Sequence, residues 1–333
     1  MAQILSSHRK MVRPRWPRKL RCSVALLCLV TLVGCAYARR GGADAQSFRA
    51  ERNRQADVLI ARATPSDLTV AALLLAPDNP NAARQSLDLV NRAQTLAPRR
   101  PELVWVHLVM CERFKCEARA QIAARLQALD PDNGFAWALD LERLPPSDTD
   151  AVTAAIARMG AARKMTIYWN QLEVMMVDAL AVASPSHDLV TRDVYAIGIL
   201  AAESIPPLQA ISRACGPEQL DLRGRRAACE AMVAHMEHSD TILTQSLALS
   251  VQERWWPAGS PQRTVLRAKH RQLDYLLTMS SRLRWWRLNH DMAVRIEAAR
   301  STAREEDAER AVVKSMGLPL EPPGDWKDPV HPG

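Results

Sequence analysis

Four cysteines, two histidines and two tryptophan pairs are the residues of this chain whose types and spacing suggest chemistry. Cys111 and Cys116 are five apart, and Cys215 and Cys229 are fourteen apart. An even set of thiols pairs readily where the compartment is oxidising; four free, buried thiols are the alternative. Zinc fits less well, because Cys-x4-Cys has no second pair nearby with ligand spacing. His235 and His238 share one side of a predicted helix, with Glu237 and Asp240 close by. Neutral imidazoles at that spacing can share a metal, but no third ligand is supplied and HExxH is absent. Solvated or flank-packed histidines are the simpler reading, and neither metal nor cofactor is expected. Trp255-Trp256 and Trp285-Trp286 are flanked by Arg254, Arg284 and Arg287. Such a group suits cation–π stacking on a sugar, peptidoglycan or protein partner. Packing between two long helices is the competing and preferred expectation. Glu203 and Glu218 are imaginable as lytic acids, yet neither sits in a glycosidase motif. There is no Gly-rich phosphate loop and no G-x-S-x-G, and Ser239 reads as an ordinary helix residue. No catalytic residue is assigned, and no enzyme is expected.

The compartment is read from the N-terminus. Arg9, Lys10, Arg13, Arg15, Arg18, Lys19 and Arg21 precede an apolar run of 13 residues, Cys22 to Gly34, with no acidic residue among them. A basic region followed by a short apolar one makes a secretory signal, since about 20 apolar residues are needed to span a bilayer. Leu32-Val33-Gly34-Cys35 resembles the lipobox of bacterial lipoproteins. The resemblance implies a diacylglyceryl thioether on Cys35 and cleavage before it. Ala36-Tyr37-Ala38 offers ordinary cleavage as an alternative, and an uncleaved anchor is a third. Several acyl chains would give durable anchoring, at about 0.8 kcal/mol per buried methylene. Ala36, in place of the aspartate familiar as an inner-membrane retention signal, tilts the expected location toward the outer membrane, facing the periplasm.

The formal net charge of +8 is mostly leader: without residues 1–34, 37 basic residues face 36 acidic ones. A strongly basic chain would point to nucleic acid, and that inference disappears with the leader. Only 12 glycines and three phenylalanines, with no window of sustained alternation, predict an all-α protein. Residues 35–57, with Gly41-Gly42, read as lipid anchor and tether, turning helical near Phe48.

Across residues 58–184 a periodicity emerges. Leu73, Trp105, Trp137 and Trp169 are 32 apart, and Pro65, Pro98 and Pro131 are 33 apart. A large apolar anchor recurring with a helix-breaking proline signals a helix-turn-helix repeat. Leu96-Ala-Pro98 to Trp105 and Leu129-Asp-Pro131 to Trp137 resemble the seam between tetratricopeptide repeats (TPRs), with Ala93, Ala97, Ala124 and Ala128 as small residues for close helix approach. The departures are a short repeat, Val109 and Leu141 where glycine is expected, and Pro145-Pro146 in the next unit. A generic stack of helical hairpins, with tryptophan as core filler, is the plainer alternative.

Residues 185–320 read as a bundle of long helices. One lies between Pro185 and Pro207, one runs from Arg225 to about Arg254, and one from Gln262 to Ser301, kinked or split near Trp285-Trp286. The last, Ala303 to Met316, ends at Gly317. The tail, 321–333, is expected to be extended, with Trp326 docked.

The sequence therefore predicts a TPR-like helical hairpin solenoid followed by a bundle of long C-terminal helices. The expected function is a lipid-anchored scaffold of the cell envelope that binds another envelope protein, with Trp105, Trp137, Trp255, Trp256, Trp285 and Trp286 as candidate binding residues. A peptidoglycan- or glycan-directed binder or enzyme using the C-terminal tryptophans is the alternative. Cys35→Ala should abolish palmitate labelling of the expressed protein, and a label that persists would exclude the lipobox.

Overall fold

Helix starts follow the proline and cap pattern. Pro65, Pro101 and Pro261 occupy the first turn of α2 (Pro65–Leu74), α4 (Pro101–Phe114) and α13 (Pro261–Ser280), where a missing N–H costs no intrahelical bond. Thr64, Asp148, Thr241 and Ser260 accept a backbone N–H at the starts of α2, α7 (Thr149–Ala161), α12 (Ile242–Glu253) and α13. Gly317, at φ 70°, follows α15 (Glu305–Ser315) as the expected terminating glycine. The computed structural model describes residues 42–75, 80–203, 208–282 and 288–327. The leader, Cys35, Trp285 and Trp286 lie outside the described residues.

The remaining helices are α1 (Gly42–Arg62), α3 (Pro80–Leu96), α5 (Arg119–Leu129), α6 (Phe135–Arg143), α8 (Trp169–Ala183), α9 (Leu189–Glu203), α10 (Leu208–Ala214), α11 (Arg225–Met236) and α14 (Leu288–Ser301). The described chain is all-α, with no strand beyond an isolated bridge between Asn133 and Lys164. No described helix is long and apolar enough to cross a membrane.

From α1 to α7 each helix packs on the next. The path then jumps: α7 packs on α11, then α11 on α12, α12 on α13, α13 on α15, and α15 on α14. α14 returns to α8 and α9, and α8 also touches α1 and α2, so early and late helices of the described chain converge on α8. Gly160 permits the α7–α11 approach, since a Cβ there would lie 3.0 Å from Ala231 Cβ and the Met232 nitrogen. Buried Arg225 ties the same helices, donating to Thr153 Oγ1, Thr149 O and Ala214 O at 2.9 Å each. One apolar core runs from Ala56 to Val251 and takes in Ile296, so it is shared across the 184/185 division drawn from sequence. Smaller clusters join α12 to α13 and α13 to α15.

Several expectations are corrected. The stretch read as a tether is helical from Gly42, and Gln55, Ala56 and Leu59 are buried. The long helix expected from Arg225 to Arg254 is two, broken at residues 237–241, where Asp240 turns inward to bond the α8 start. The 32-residue spacing does not keep one helical register. Leu73 is the ninth residue of α2, Trp105 the fifth of α4, Trp137 the third of α6 and Trp169 the first of α8. Ala124 and Ala128 face solvent, and Ala123 and Leu126 pack instead.

The cysteines pair as expected from their spacing: Cys111 with Cys116 (Cα–Cα 4.9 Å) and Cys215 with Cys229 (5.8 Å). The first clamps the end of α4, where Lys115 adopts φ 52° and the Cys116 N–H donates to Cys111 O at 2.9 Å. The second ties the end of α10 to α11. The tail docks along α13: Trp326 meets Tyr275 edge-on at 5.4 Å, and Arg271 lies 5.5 Å over its ring. Thiol titration of the denatured, unreduced protein should find none of these four cysteines free. Replacing Cys215 and Cys229 together with serine should lower the unfolding free energy by about 3 kcal/mol, measured with urea.

Candidate functional site

α8 has two differently used faces. Its inward face carries Glu173 among Leu172, Met176 and Leu180, all buried. Its outward face carries Gln171, Val174, Met175, Asp178, Ala179 and Val182, which line an open cleft of about 760 Å³ against the α1–α2 turn, the α4 start and α14.

Three arginine–carboxylate pairs wall the cleft. Arg62 Nε meets Asp67 Oδ2 at 3.0 Å, and Asp67 also receives the Thr64 hydroxyl at 2.7 Å. Arg100 Nε meets Glu102 Oε1 at 2.5 Å, while its Nη1 donates to Ser66 Oγ at 3.0 Å. Arg300 holds Asp178 with both Nη atoms. Each of the lining carboxylates Asp67, Glu102 and Asp178 is thus committed to a guanidinium, and Ser66 accepts from Arg100. The floor (Val174, Met175, Ala179 and Val182) is apolar. Such a cleft can bind a chain that is part apolar and part charged.

Behind α8 lies a buried polar junction. Arg295 of α14 donates Nε to Glu309 Oε1 at 2.7 Å, Nη1 to Glu173 and to Asp193 Oδ1 at 3.2 Å, and Nη2 to Glu173 Oε2 at 3.1 Å. All four side chains are at most 8% exposed. Glu305, at the start of α15, accepts the Ile242 N–H at 2.8 Å, and its own N–H donates to Asp240 O at 2.8 Å. Asp240 in turn accepts the Ile167 and Trp169 N–H groups near 3.0 Å and the Thr166 hydroxyl at 2.6 Å. It serves as the cap α8 lacks, because Tyr168 precedes α8 at φ 61° with no cap of its own. Tyr168 is held there by its hydroxyl, which donates to Asp130 at 2.6 Å. Burial, then the Glu309 charge, push Asp193 up to about 7. Burial and Glu309 also push Glu305 to about 7, against the pull of the Ile242 N–H and Arg295. Burial raises Asp240 too, opposed by its hydrogen bonds.

The residues singled out by sequence fall elsewhere. Trp105 is wholly buried, 6.5 Å from Phe135, and is a core residue with no face for a partner. Trp137 is half-buried on the core, with Arg158 5.8 Å over its ring. Trp255 and Trp256 lie in the turn beyond α12, not on a helix, and both pack: Trp255 Nε1 donates to Cys215 O at 2.9 Å, and Trp256 covers the α12–α13 cluster. His235 lies in the last turn of α11 and His238 beyond its end; Asp240 points away to α8, and Glu237 bonds Gln252 and Lys269. Among the described residues no group of three or more His, Cys, Asp or Glu is placed to hold a metal. Glu218 is exposed on a short 3-10 turn, and the Glu203 side chain lies outside the described residues. Ser239 is not a helix residue: it sits buried in the α11–α12 break and donates to Asp240.

The sequence reading missed Glu173, Asp193, Arg295, Glu305 and Glu309. The signal was present: Asp291 and Arg295 alternate with Met292, Ile296 and Ala299 on the buried face of α14, and Glu309 sits with Ala308, Val312 and Val313. Charges on an apolar stripe must meet partners.

Arg295→Met should destabilise the protein by roughly 3–5 kcal/mol in urea unfolding, because it strands buried carboxylates. A loss below 1 kcal/mol would show the carboxylates to be solvated. Comparison with known protein families, characterised proteins and solved structures finds no match, so the chemistry of this site rests on its own geometry.

Proposed function

We propose that this chain is a lipid-anchored binding protein of the bacterial cell envelope, carried on Cys35, facing the periplasm and most at home in the outer membrane. It acts by holding another envelope protein and not by catalysis. In this reading the pairs α2–α3, α4–α5 and α6–α7 are degenerate TPR-like hairpins; their support is the consecutive packing of these helices and the prolines at or before α2, α4 and α6. The two cysteine pairs support a location outside the reducing cytosol.

The observation that carries the binding assignment is the cleft beside α8. It is large enough for several side chains of a partner, its floor is apolar, and its charges come in neutral pairs. That pattern fits a polypeptide segment better than a polyanion such as nucleic acid, which would need unbalanced positive charge. The glycan alternative loses Trp255 and Trp256, which are used in packing, and no described feature favours peptidoglycan in its place.

A photo-crosslinking residue at exposed Gln171, inside the cleft, should yield a discrete protein adduct in intact envelopes. The adduct should vanish with Val182→Arg, and a probe at exposed Leu96, outside the cleft, should not give it. Equal adducts from both positions, or none from Gln171, would contradict the assignment.

A further inference from the structure

The buried junction holds an excess of acid. Glu173, Asp193 and Glu309 share the Arg295 guanidinium. Fully ionised, these four groups would bury two uncompensated negative charges, and Glu305 lies near enough for Glu309 to act on it. Desolvation at that charge favours retention of a proton on a carboxyl.

The groups facing Asp193 come from every helix around α9. α8 presents Glu173, α14 presents Arg295, and α15 adds Glu309. Asp291, also on α14, accepts from Ser315. α2 has one ionisable residue, Asp67, held in the cleft by Arg62. α1 directs Glu51 and Arg52 at Tyr195 of α9, and Arg192 of α9 bonds Asp188 O. Arg295 is thus the cation that meets Asp193, and its capacity is shared with two other carboxylates.

We propose that this junction is a proton-operated latch: a proton held on the Asp193 carboxyl keeps α14, with α15 packed on it, docked on α8 and α9, and its loss loosens them. Asp193 in the docked state is raised to about 7, whereas an opened, solvated Asp titrates near ~4. Between those values the docked state binds one proton more than the open state. Docking is therefore fully stable below that window, weakens as pH rises through it, and levels off above. Glu305, raised to about 7 on the same docked element, adds in the same direction.

Native-state hydrogen exchange of the full chain, corrected for intrinsic rates, tests the latch. The opening constant for α9, α14 and α15 should rise about tenfold or more per pH unit from about pH 5 to 7, while that of α5 and α6 stays level. Asp193→Asn, which cannot titrate, should take about tenfold per pH unit off that slope. Glu305→Gln, which leaves Asp193 as the titrating group, should retain about tenfold per unit. Equal protection of these helices at pH 5 and 7, an Asp193→Asn slope like that of the wild type, or a flat Glu305→Gln profile would each overturn the proposal.

Discussion

The guanidinium of Arg295 and the carboxylates around it constrain the rest of the fold. Glu173 stands 122 residues before Arg295 in the chain and Asp193 102 before, so these bonds join α14 to α8 and α9 across a long gap in the chain. An ion group taken out of water is stable only when its hydrogen bonds are met and its geometry is fixed. That requirement sets where α14 and α15 can lie. The cleft inherits its shape from it: α8 carries Glu173 on one face and the cleft floor on the other, and Arg300 of α14 closes the far wall through Asp178.

The junction extends through the backbone. Glu305 caps α12 and its N–H bonds Asp240 O, while Asp240 caps α8. The α11–α12 break is therefore the point from which two helix starts are satisfied, and Thr241 begins α12 within it. Tyr168, at φ 61°, carries strain of about 1–3 kcal/mol. Its bonds to Asp130 and Asn133, with the Asp240 bonds on either side, hold it in place.

Much of this was legible in the sequence. Composition and the lack of strand-like alternation predicted an all-helical chain, Gly317 marked the end of the last helix, and cysteine spacing matched the two bridges. What was not legible depended on tertiary partners. Arg225 to Arg254 reads as one amphipathic helix because Asp240 and Thr241 are tolerable in a helix interior; only the bare α8 start and Glu305 make the break worthwhile. Tryptophan spacing suggested a repeat register, but burial assigned Trp105 to the core and Trp255 and Trp256 to packing between elements. The charged residues on the apolar stripes of α8, α14 and α15 were visible as anomalies. Which acid meets which base among so many charged residues is decided by the helix path, not by local pattern.

A double-mutant cycle between Glu173 and Arg295 tests the central claim most directly. Glu173→Met, Arg295→Met and the double variant would be compared in urea unfolding. The account predicts strong coupling, with the double variant more stable than the two single losses sum to by about 2 kcal/mol or more. Additive losses would mean that the two side chains do not meet, and that α14 is held against α8 by something other than this ion group.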